Sequence, residues 1–113
     1  MTNETMPAPE VLVGEGLALL DLHADGVAHI RLNRPDASNG LNVELLKALH
    51  EVVMQVHGDK RVRAVLITGE GKHFCAGGDV HTFLSKGEDL PHYIRVATSY
   101  LQLATAALIR LNP

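Results

Sequence analysis

Residues 74–79, which read Phe-Cys-Ala-Gly-Gly-Asp, constrain the fold more than any other part of this sequence. They follow an apolar run, residues 64–67, that is typical of a buried strand, and they precede a segment that can begin a helix at Asp79 or Val80. Two adjacent glycines allow a sharp turn whose backbone N–H groups approach another molecule, because no side chain stands in the way. Strand, glycine turn and helix in this order predict an α/β fold that binds a ligand at the turn.

A β-hairpin is predicted upstream of the turn. Two apolar segments, residues 17–23 and 27–32, flank an Ala-Asp-Gly sequence that favours a tight connection. A helical pattern over residues 43–57 separates the hairpin from the strand at 64–68, so the chain is expected to cross over and lay that strand parallel to a neighbour. The glycine turn would then lie at the carboxyl end of the strand, where open α/β sheets bind ligands.

Apolar residues at helical spacing predict which helix faces are buried. Asn42 can cap the helix over 43–57, and its predicted buried face consists of Leu45, Leu49, Val52, Val53 and Val56. A short helix is expected over residues 80–85. Asp89 can cap a final helix, whose apolar stripe consists of Ile94, Ala97, Leu101, Ala104, Leu108 and Leu111.

Composition limits the class of protein. A chain of 113 residues with 46% hydrophobic residues and no Trp fits one domain with an aliphatic core. The net charge of -3 argues against nucleic acid as a partner, and no apolar run is long enough to predict a membrane span. Residues 1–14 are expected to be a flexible N-terminus with no secretory signal. The single cysteine, Cys75, cannot form an internal disulfide and fits a cytoplasmic location.

Simpler interpretations of the turn stay open. A Gly-Gly turn can be a tight connection without a ligand, and Cys75 can be a small buried hydrophobe rather than a nucleophile. Asp79 can act as a general base, but a helix start favours capping. A metal site is not expected, because the spacing of the nearby His, Cys and Asp side chains matches no usual zinc pattern: His73, Cys75, Asp79 and His81.

Three segments together resemble the enoyl-CoA hydratase/isomerase (crotonase) family: Asn33-Arg34-Pro35 with Asn39 and Leu41, then residues 63–69, then residues 74–80. The resemblance extends from about residue 17 to residue 113. It implies an α/β fold, the N-terminal portion of a crotonase-like ββα-type core, in which a hairpin is followed by βα units with a glycine-rich turn at a strand end. Residues 15–113 are then the N-terminal part of a crotonase-like domain that is truncated at its C-terminal end.

The resemblance implies an acyl-coenzyme A enzyme that stabilises a thioester enolate in an oxyanion hole, during hydration or during double-bond or ring isomerisation. The Gly78 N–H is the implied catalytic donor, while the family's catalytic carboxylates lie beyond the position matching Pro113. Some relatives carry Lys in place of Asp36, so Arg34 or the Ala37 backbone would have to contribute to the coenzyme A site. The implied substrate-binding residues are Arg34, Ala37, Ala76, Gly77, Gly78, Asp79 and Val80.

The same resemblance implies partners. Coenzyme A is expected as part of the substrate and no cofactor is expected to be bound permanently. A homo-oligomer, either a trimer or a pair of trimers forming a hexamer, is expected for the complete protein. The alternative is a non-catalytic coenzyme A-binding or interaction module, if the protein ends at Pro113.

Overall fold

The computed structural model describes residues 7–111, which form one mixed sheet with helices packed on it. The strands are β1 (Glu10–Val13), β2 (Ala18–Leu22), β3 (Val27–Leu32) and β4 (Ala64–Gly69). The α-helices are α1 (Val43–His57), α2 (Val80–Ser85) and α3 (Leu90–Ile109), and short 3₁₀ helices cover Pro35–Ala37 and Gly87–Asp89. In this part of the chain, no helix combines the length and the apolar character needed to cross a membrane.

The sheet has the order β1-β2-β3-β4, and its last pair is parallel. β2 and β3 form the predicted antiparallel hairpin, with Leu20 opposite Ile30. α1 then carries the chain across, and β4 pairs with β3 in a parallel register that joins Val27 to Ala64 and Leu32 to Gly69. Both the hairpin and the parallel crossover are therefore confirmed.

The core lies between one face of the sheet and α1. β3 alternates strictly, because Ala28, Ile30 and Leu32 are buried while the residues between them are half-buried. This period of two is expected for a strand with one covered face. The main apolar cluster joins the sheet to α1 and to the end of α3, and its buried members are Ala18, Leu20, Ala28, Ile30, Val52, Val53, Val56 and Ala107.

The predicted α1 is confirmed, and its N-cap is the predicted one, since the Asn42 side chain accepts a hydrogen bond from Leu45 N–H. Its predicted buried face is wrong at one residue. Leu49 is only half-buried, whereas Leu46, absent from the predicted set, is 3% exposed. The reason is that α1 is covered from two directions, by the sheet and by α3, so its buried arc is wider than a single stripe.

Residues 64–67 form a strand as predicted, but the prediction that this strand is buried is wrong. β4 is the last strand of the sheet within residues 7–111, and only the face toward α1 is covered. Val65 and Ile67 pack against the core from that face, while Ala64 is exposed and Leu66 is 49% exposed. A continuous apolar run cannot show by itself which of its two faces is covered.

The predicted flexible N-terminus, residues 1–14, is wrong for Glu10–Val13, which form β1. β1 pairs with β2, joining Glu10 to Leu22 and Val13 to Leu20, with an irregularity in register between Val11 and Val13. Pairing satisfies the backbone groups that face β2, so these residues belong to the sheet. The expectation for residues 1–6 lies outside the described residues.

α3 is confirmed, with two corrections to its details. Asp89 is at the N-cap position, but its side chain makes no capping hydrogen bond. In the predicted stripe, Ala97 and Ala104 are buried whereas Leu101 is 39% exposed. The fully buried positions of α3 are all alanines, the third being Ala107, and such small side chains let α3 approach α1 closely.

Candidate functional site

The glycine turn is paired along its length with the loop that precedes α1. Ala76 N–H donates to the Ser38 carbonyl at 3.0 Å, and Leu41 N–H donates to the Gly77 carbonyl at 2.7 Å. Asp79 N–H in turn donates to the Leu41 carbonyl at 3.0 Å, which makes an isolated parallel bridge between Leu41 and Gly78. The structure therefore brings together the two segments that the sequence singled out for a site.

This bridge determines the direction of the Gly78 N–H. In parallel pairing, Leu41 bonds to the residues on either side of its partner, so Gly78 directs its own N–H and carbonyl away from Leu41. Within residues 7–111 the Gly78 N–H has no hydrogen-bond acceptor. A backbone donor that the fold holds in place without an internal partner is suited to an oxygen of a ligand.

The two glycines are needed for different reasons. Gly77 has a φ of +91°, which L side chains rarely adopt, although a Cβ there would meet no atom within 4 Å. Gly78 lies outside this left-handed region, but a Cβ at Gly78 would stand 2.8 Å from Cε2 of Phe83. Gly77 therefore supplies the bend, whereas Gly78 leaves room for the Phe83 ring.

Asp79 begins α2 and is buried at 8% exposure. Its carboxylate accepts hydrogen bonds from the Thr82 backbone N–H at 3.2 Å and from the Thr82 hydroxyl at 2.6 Å. The Thr82 hydroxyl, with help from the Arg34 guanidinium, lowers the pKa of Asp79 to about 2. The predicted capping role is confirmed, and a carboxylate with so low a pKa is a poor proton acceptor near neutral pH.

Arg34 points into the protein rather than along its surface. Its Nη1 lies 2.7 Å from Asp79 Oδ2 and donates to the Gly40 carbonyl at 2.9 Å. The side chain is 23% exposed. The structure thus brings the predicted site residues Arg34 and Asp79 together. They form an ion pair with each other.

Asn39 fastens the same loop to the segment after β4. Its side-chain amide donates to the Glu70 carbonyl at 3.0 Å and to the His73 carbonyl at 2.9 Å, while its oxygen accepts from Arg34 N–H at 2.7 Å. The residue is fully buried and has a φ of +54°, a conformation that Asn tolerates better than most residues. Three hydrogen bonds from one side chain hold the loop beside the turn.

Gly78 is one of the residues that line an apolar groove of about 210 Å³. The aromatic ring of Phe83, the buried Leu46 and residues of α3 form its walls. The Phe83 ring also meets Tyr93 edge-on at a centroid distance of 6.1 Å, which joins α2 to α3. The groove is lined by Leu41, Leu46, Gly78, Phe83, Ile94, Ala97, Thr98 and Leu101.

The other predicted site residues lie around this arrangement. Ala37 belongs to the 3₁₀ helix, and both of its backbone groups are engaged within the loop, with Arg34 and with Gly40. Val80 is the first residue of α2 and is 62% exposed. Cys75 is half-buried, and no contact assigns it a role as a nucleophile in the described residues. Among residues 7–111, no group of three or more His, Cys, Asp or Glu side chains is arranged to hold a metal ion.

Comparison with known proteins decides the family. The family model of enoyl-CoA hydratase/isomerase matches residues 27–106, which include the loop, the glycine turn and most of α3. The chain belongs to this family. Solved structures confirm the predicted crotonase-like fold. The structure of an enoyl-CoA hydratase of Mycobacterium smegmatis superposes with a TM-score of 0.76 and 35% sequence identity, and the match covers 86% of this chain and 37% of the hydratase chain.

Curated relatives carry out different reactions according to their names. A 1,2-epoxyphenylacetyl-CoA isomerase of Escherichia coli is 43% identical over 56 residues, which is 50% of this chain and 21% of that protein. A 4-chlorobenzoyl coenzyme A dehalogenase of an Arthrobacter species is 31% identical over 91 residues, which is 80% of this chain and 33% of that protein. The chain spans about a third or less of the length of these relatives.

The sequence did not assign roles to two side chains that the structure places at the site. Asn39 has a signal in the sequence, because Asn before Gly in a loop favours left-handed backbone. Phe83 has a weaker one, as a large apolar residue in the short helix after the glycines. Its contact with Gly78 depends on how α2 folds back, which no spacing rule predicts.

Proposed function

We propose that this chain supplies one half of an acyl-coenzyme A site, in which the Gly78 N–H binds the thioester oxygen. The observation that carries the proposal is the position of this N–H, which lacks an acceptor within residues 7–111 and belongs to a residue lining an apolar groove. Membership of the enoyl-CoA hydratase/isomerase family supports the choice of ligand. The reaction would be hydration or isomerisation of the acyl group.

The groove supports an acyl chain as the bound group. Its walls are mostly aliphatic and aromatic, with Thr98 as the one polar side chain among its lining residues in the described part of the chain. Because Gly78 is one of the lining residues, an apolar acyl group placed there could bring its thioester carbonyl beside the Gly78 N–H. Apolar surface buried there would stabilise the complex by about 25 cal/mol per Å² before the costs of association.

The proposed chemistry depends on charge that develops on the carbonyl oxygen. Removal of a proton beside the thioester, or addition of water to a conjugated double bond, turns the carbonyl into an enolate. A donor held in place by the fold stabilises this charge without further ordering, and losing one such donor costs about 10²- to 10³-fold in rate. Gly78 would be one donor, and the acid and base groups would come from elsewhere in the protein.

The test removes the N–H of residue 78 and compares the result with a variant that keeps the N–H but also carries a Cβ. Gly78→Pro and Gly78→Ala both add a Cβ that would contact Phe83, but only the Pro variant lacks the N–H. Both changes should be made in the full gene product with Phe83→Leu, because Leu replaces the ring that a Cβ at residue 78 would meet. We expect kcat for enoyl-CoA thioesters to be about 10²- to 10³-fold lower in the Pro variant than in the Ala variant.

Thermal denaturation and circular dichroism show whether the two proteins are folded alike. Affinity for the substrate should change less than kcat, because the donor strengthens most as the charge develops. If folded Pro and Ala variants turn over at the same rate, Gly78 is not the oxyanion donor.

A second candidate is a module that binds acyl-coenzyme A without catalysis. One observation favours it: among the described residues that line the groove, none has a titratable side chain that could move a proton. Calorimetric titration with a saturated acyl-CoA, alongside an assay of enoyl-CoA turnover, separates the two. Binding without turnover in the full gene product supports the module, whereas turnover excludes it.

We also propose a homo-oligomer, a trimer or hexamer, in the cytoplasm. Exposed apolar side chains on α3 support self-association, with Leu103 at 49% and Ile109 at 77% exposure. Cys75 as the single cysteine supports a reducing compartment. Sedimentation velocity over a range of concentrations tests the assembly, and a monomer at every concentration would contradict it.

A further inference from the structure

An ion pair connects the two halves of the candidate site. Arg34 precedes the 3₁₀ helix of the loop, and Asp79 follows the glycine turn, 45 positions later in the sequence. Their side chains meet at 2.7 Å between Nη1 and Oδ2, with the carboxylate only 9% exposed. The same Nη1 also donates to the Gly40 carbonyl, so the guanidinium bridges the loop to the turn.

The ion pair lies next to Gly78 in the chain, because Asp79 is the following residue. Asp79, the residue after Gly78, makes three contacts. Its N–H donates to the Leu41 carbonyl, and its carboxylate accepts from the Thr82 hydroxyl and pairs with the Arg34 guanidinium. On the other side, the Gly77 carbonyl is held by Leu41 N–H. The peptide groups that flank Gly78 are therefore anchored, and Arg34 provides the only charged contact among these anchors in residues 7–111.

We propose that Arg34 and Asp79 are positioning residues that aim the Gly78 N–H at the thioester oxygen, and that neither binds the coenzyme A part of the ligand. This inference rests on the proposed function. It differs from the expectation that Arg34 contacts the ligand, because the contacts that its Nη1 makes are with Asp79 and Gly40.

The chemistry of the two side chains makes Arg34→Lys the informative change. Lysine keeps the positive charge but carries it on one flexible ammonium, whereas the guanidinium is a planar fork that orders its partners. Asp79→Asn is the reciprocal change, since Asn still caps a helix through its side-chain oxygen but loses the charge that pairs with Arg34. Neither change removes the Gly78 N–H.

The experiment measures the carbonyl itself. Butyryl-CoA labelled with ¹³C at its thioester carbonyl is bound to the full gene product, and isotope-edited infrared difference spectroscopy records the C=O stretch. A hydrogen bond to the oxygen lowers this frequency, so the size of the shift reports the strength of the hydrogen bond from the Gly78 N–H. Titration of the same ligand gives its dissociation constant.

We expect Arg34→Lys and Asp79→Asn each to lose more than half of the band shift. The dissociation constant should change by only about threefold, because one neutral hydrogen bond to a ground-state carbonyl contributes little to affinity. The double variant should be no worse than the more affected single variant, as expected for two residues that act as a unit. A purely structural role would instead lower thermal stability while leaving the band of the folded protein unchanged.

Arg61 provides the matched control. It is also an arginine paired with an aspartate, since its Nη2 lies 2.7 Å from Asp59 Oδ2, but this pair is exposed and lies away from the glycine turn. Arg61→Lys should leave both the band and the dissociation constant unchanged.

The outcomes separate this inference from the proposed function. If Arg34→Lys keeps the full band shift but weakens binding tenfold or more, Arg34 contacts the ligand and the positioning role is wrong, while the role of Gly78 stands. If Arg34→Lys changes neither quantity, the positioning role is also wrong. If the unmodified protein does not shift the band of bound butyryl-CoA, the proposed function fails, and the role of the ion pair fails with it.

Discussion

Replacing Asn39 by Ala tests whether the loop and the glycine turn form one scaffold. Asn39 is fully buried, and its side chain makes three hydrogen bonds, to the Glu70 and His73 carbonyls and to the Arg34 N–H. The substitution removes all three and leaves their backbone partners without the side chain that they bond. We therefore expect a stability loss that is large for a single exchange of this size.

The magnitude follows from these contacts. Three hydrogen bonds at a net of about 1 kcal/mol each amount to about 3 kcal/mol. The φ of +54° adds a further cost for Ala of up to about 1 kcal/mol, because a short polar side chain eases this conformation and a methyl group does not. The sum, about 3–4 kcal/mol, is a large share of the 5–15 kcal/mol that stabilises a typical domain.

Urea denaturation provides the assay, with the midpoint and the slope fitted separately. Asn33→Ala is the matched control, because Asn33 is in the same loop and makes one exposed hydrogen bond, from its side-chain amide to the Gly16 carbonyl at 2.9 Å. This control should lose less than about 1 kcal/mol. If the two variants are equally stable, the Asn39 side chain does not hold the loop and the scaffold argument is wrong.

Two further predictions concern α1 and the start of α2. Leu46→Ala should cost about 2–5 kcal/mol and Leu49→Ala clearly less, because Leu46 is 3% exposed and Leu49 only half-buried; equal losses in urea would contradict this burial. The pKa of Asp79 is lowered to about 2, so its ionised form stabilises the fold above about pH 4 and this contribution is lost as the pH falls toward 2. The stability difference between the unmodified protein and Asp79→Asn should therefore shrink over that range, and a difference that is constant from pH 7 to pH 2 would refute the assignment.

Local chemistry in the sequence was enough to predict most elements. The Asp-Gly pair at residues 25–26 specifies the hairpin between β2 and β3, and Asn42 specifies the start of α1 through its side-chain oxygen. Asp79 caps α2 for the same reason. These features depend on residues within a few positions of each other, so spacing and side-chain chemistry determine them.

Burial was predicted less well, because it depends on what packs from outside the segment. The periodicity of α1 indicates one apolar face, but α3 covers a second side and buries Leu46 in place of Leu49. The apolar run of β4 looks the same whether one or both faces are covered. The pairing of β1 was missed, since a short strand has little period of its own and depends on its neighbour β2.

The sequence by itself predicted that a glycine turn follows a strand and precedes a capped helix, because Gly-Gly allows a sharp bend and Asp favours a helix start. Only the tertiary structure decided where the Gly78 N–H points, through the pairing of Leu41 with residues on both sides of Gly78. It also decided that Arg34 faces Asp79 instead of solvent. These are contacts between segments far apart in the chain, and their geometry is set by the crossover of α1 and the packing of the sheet, which no local pattern contains.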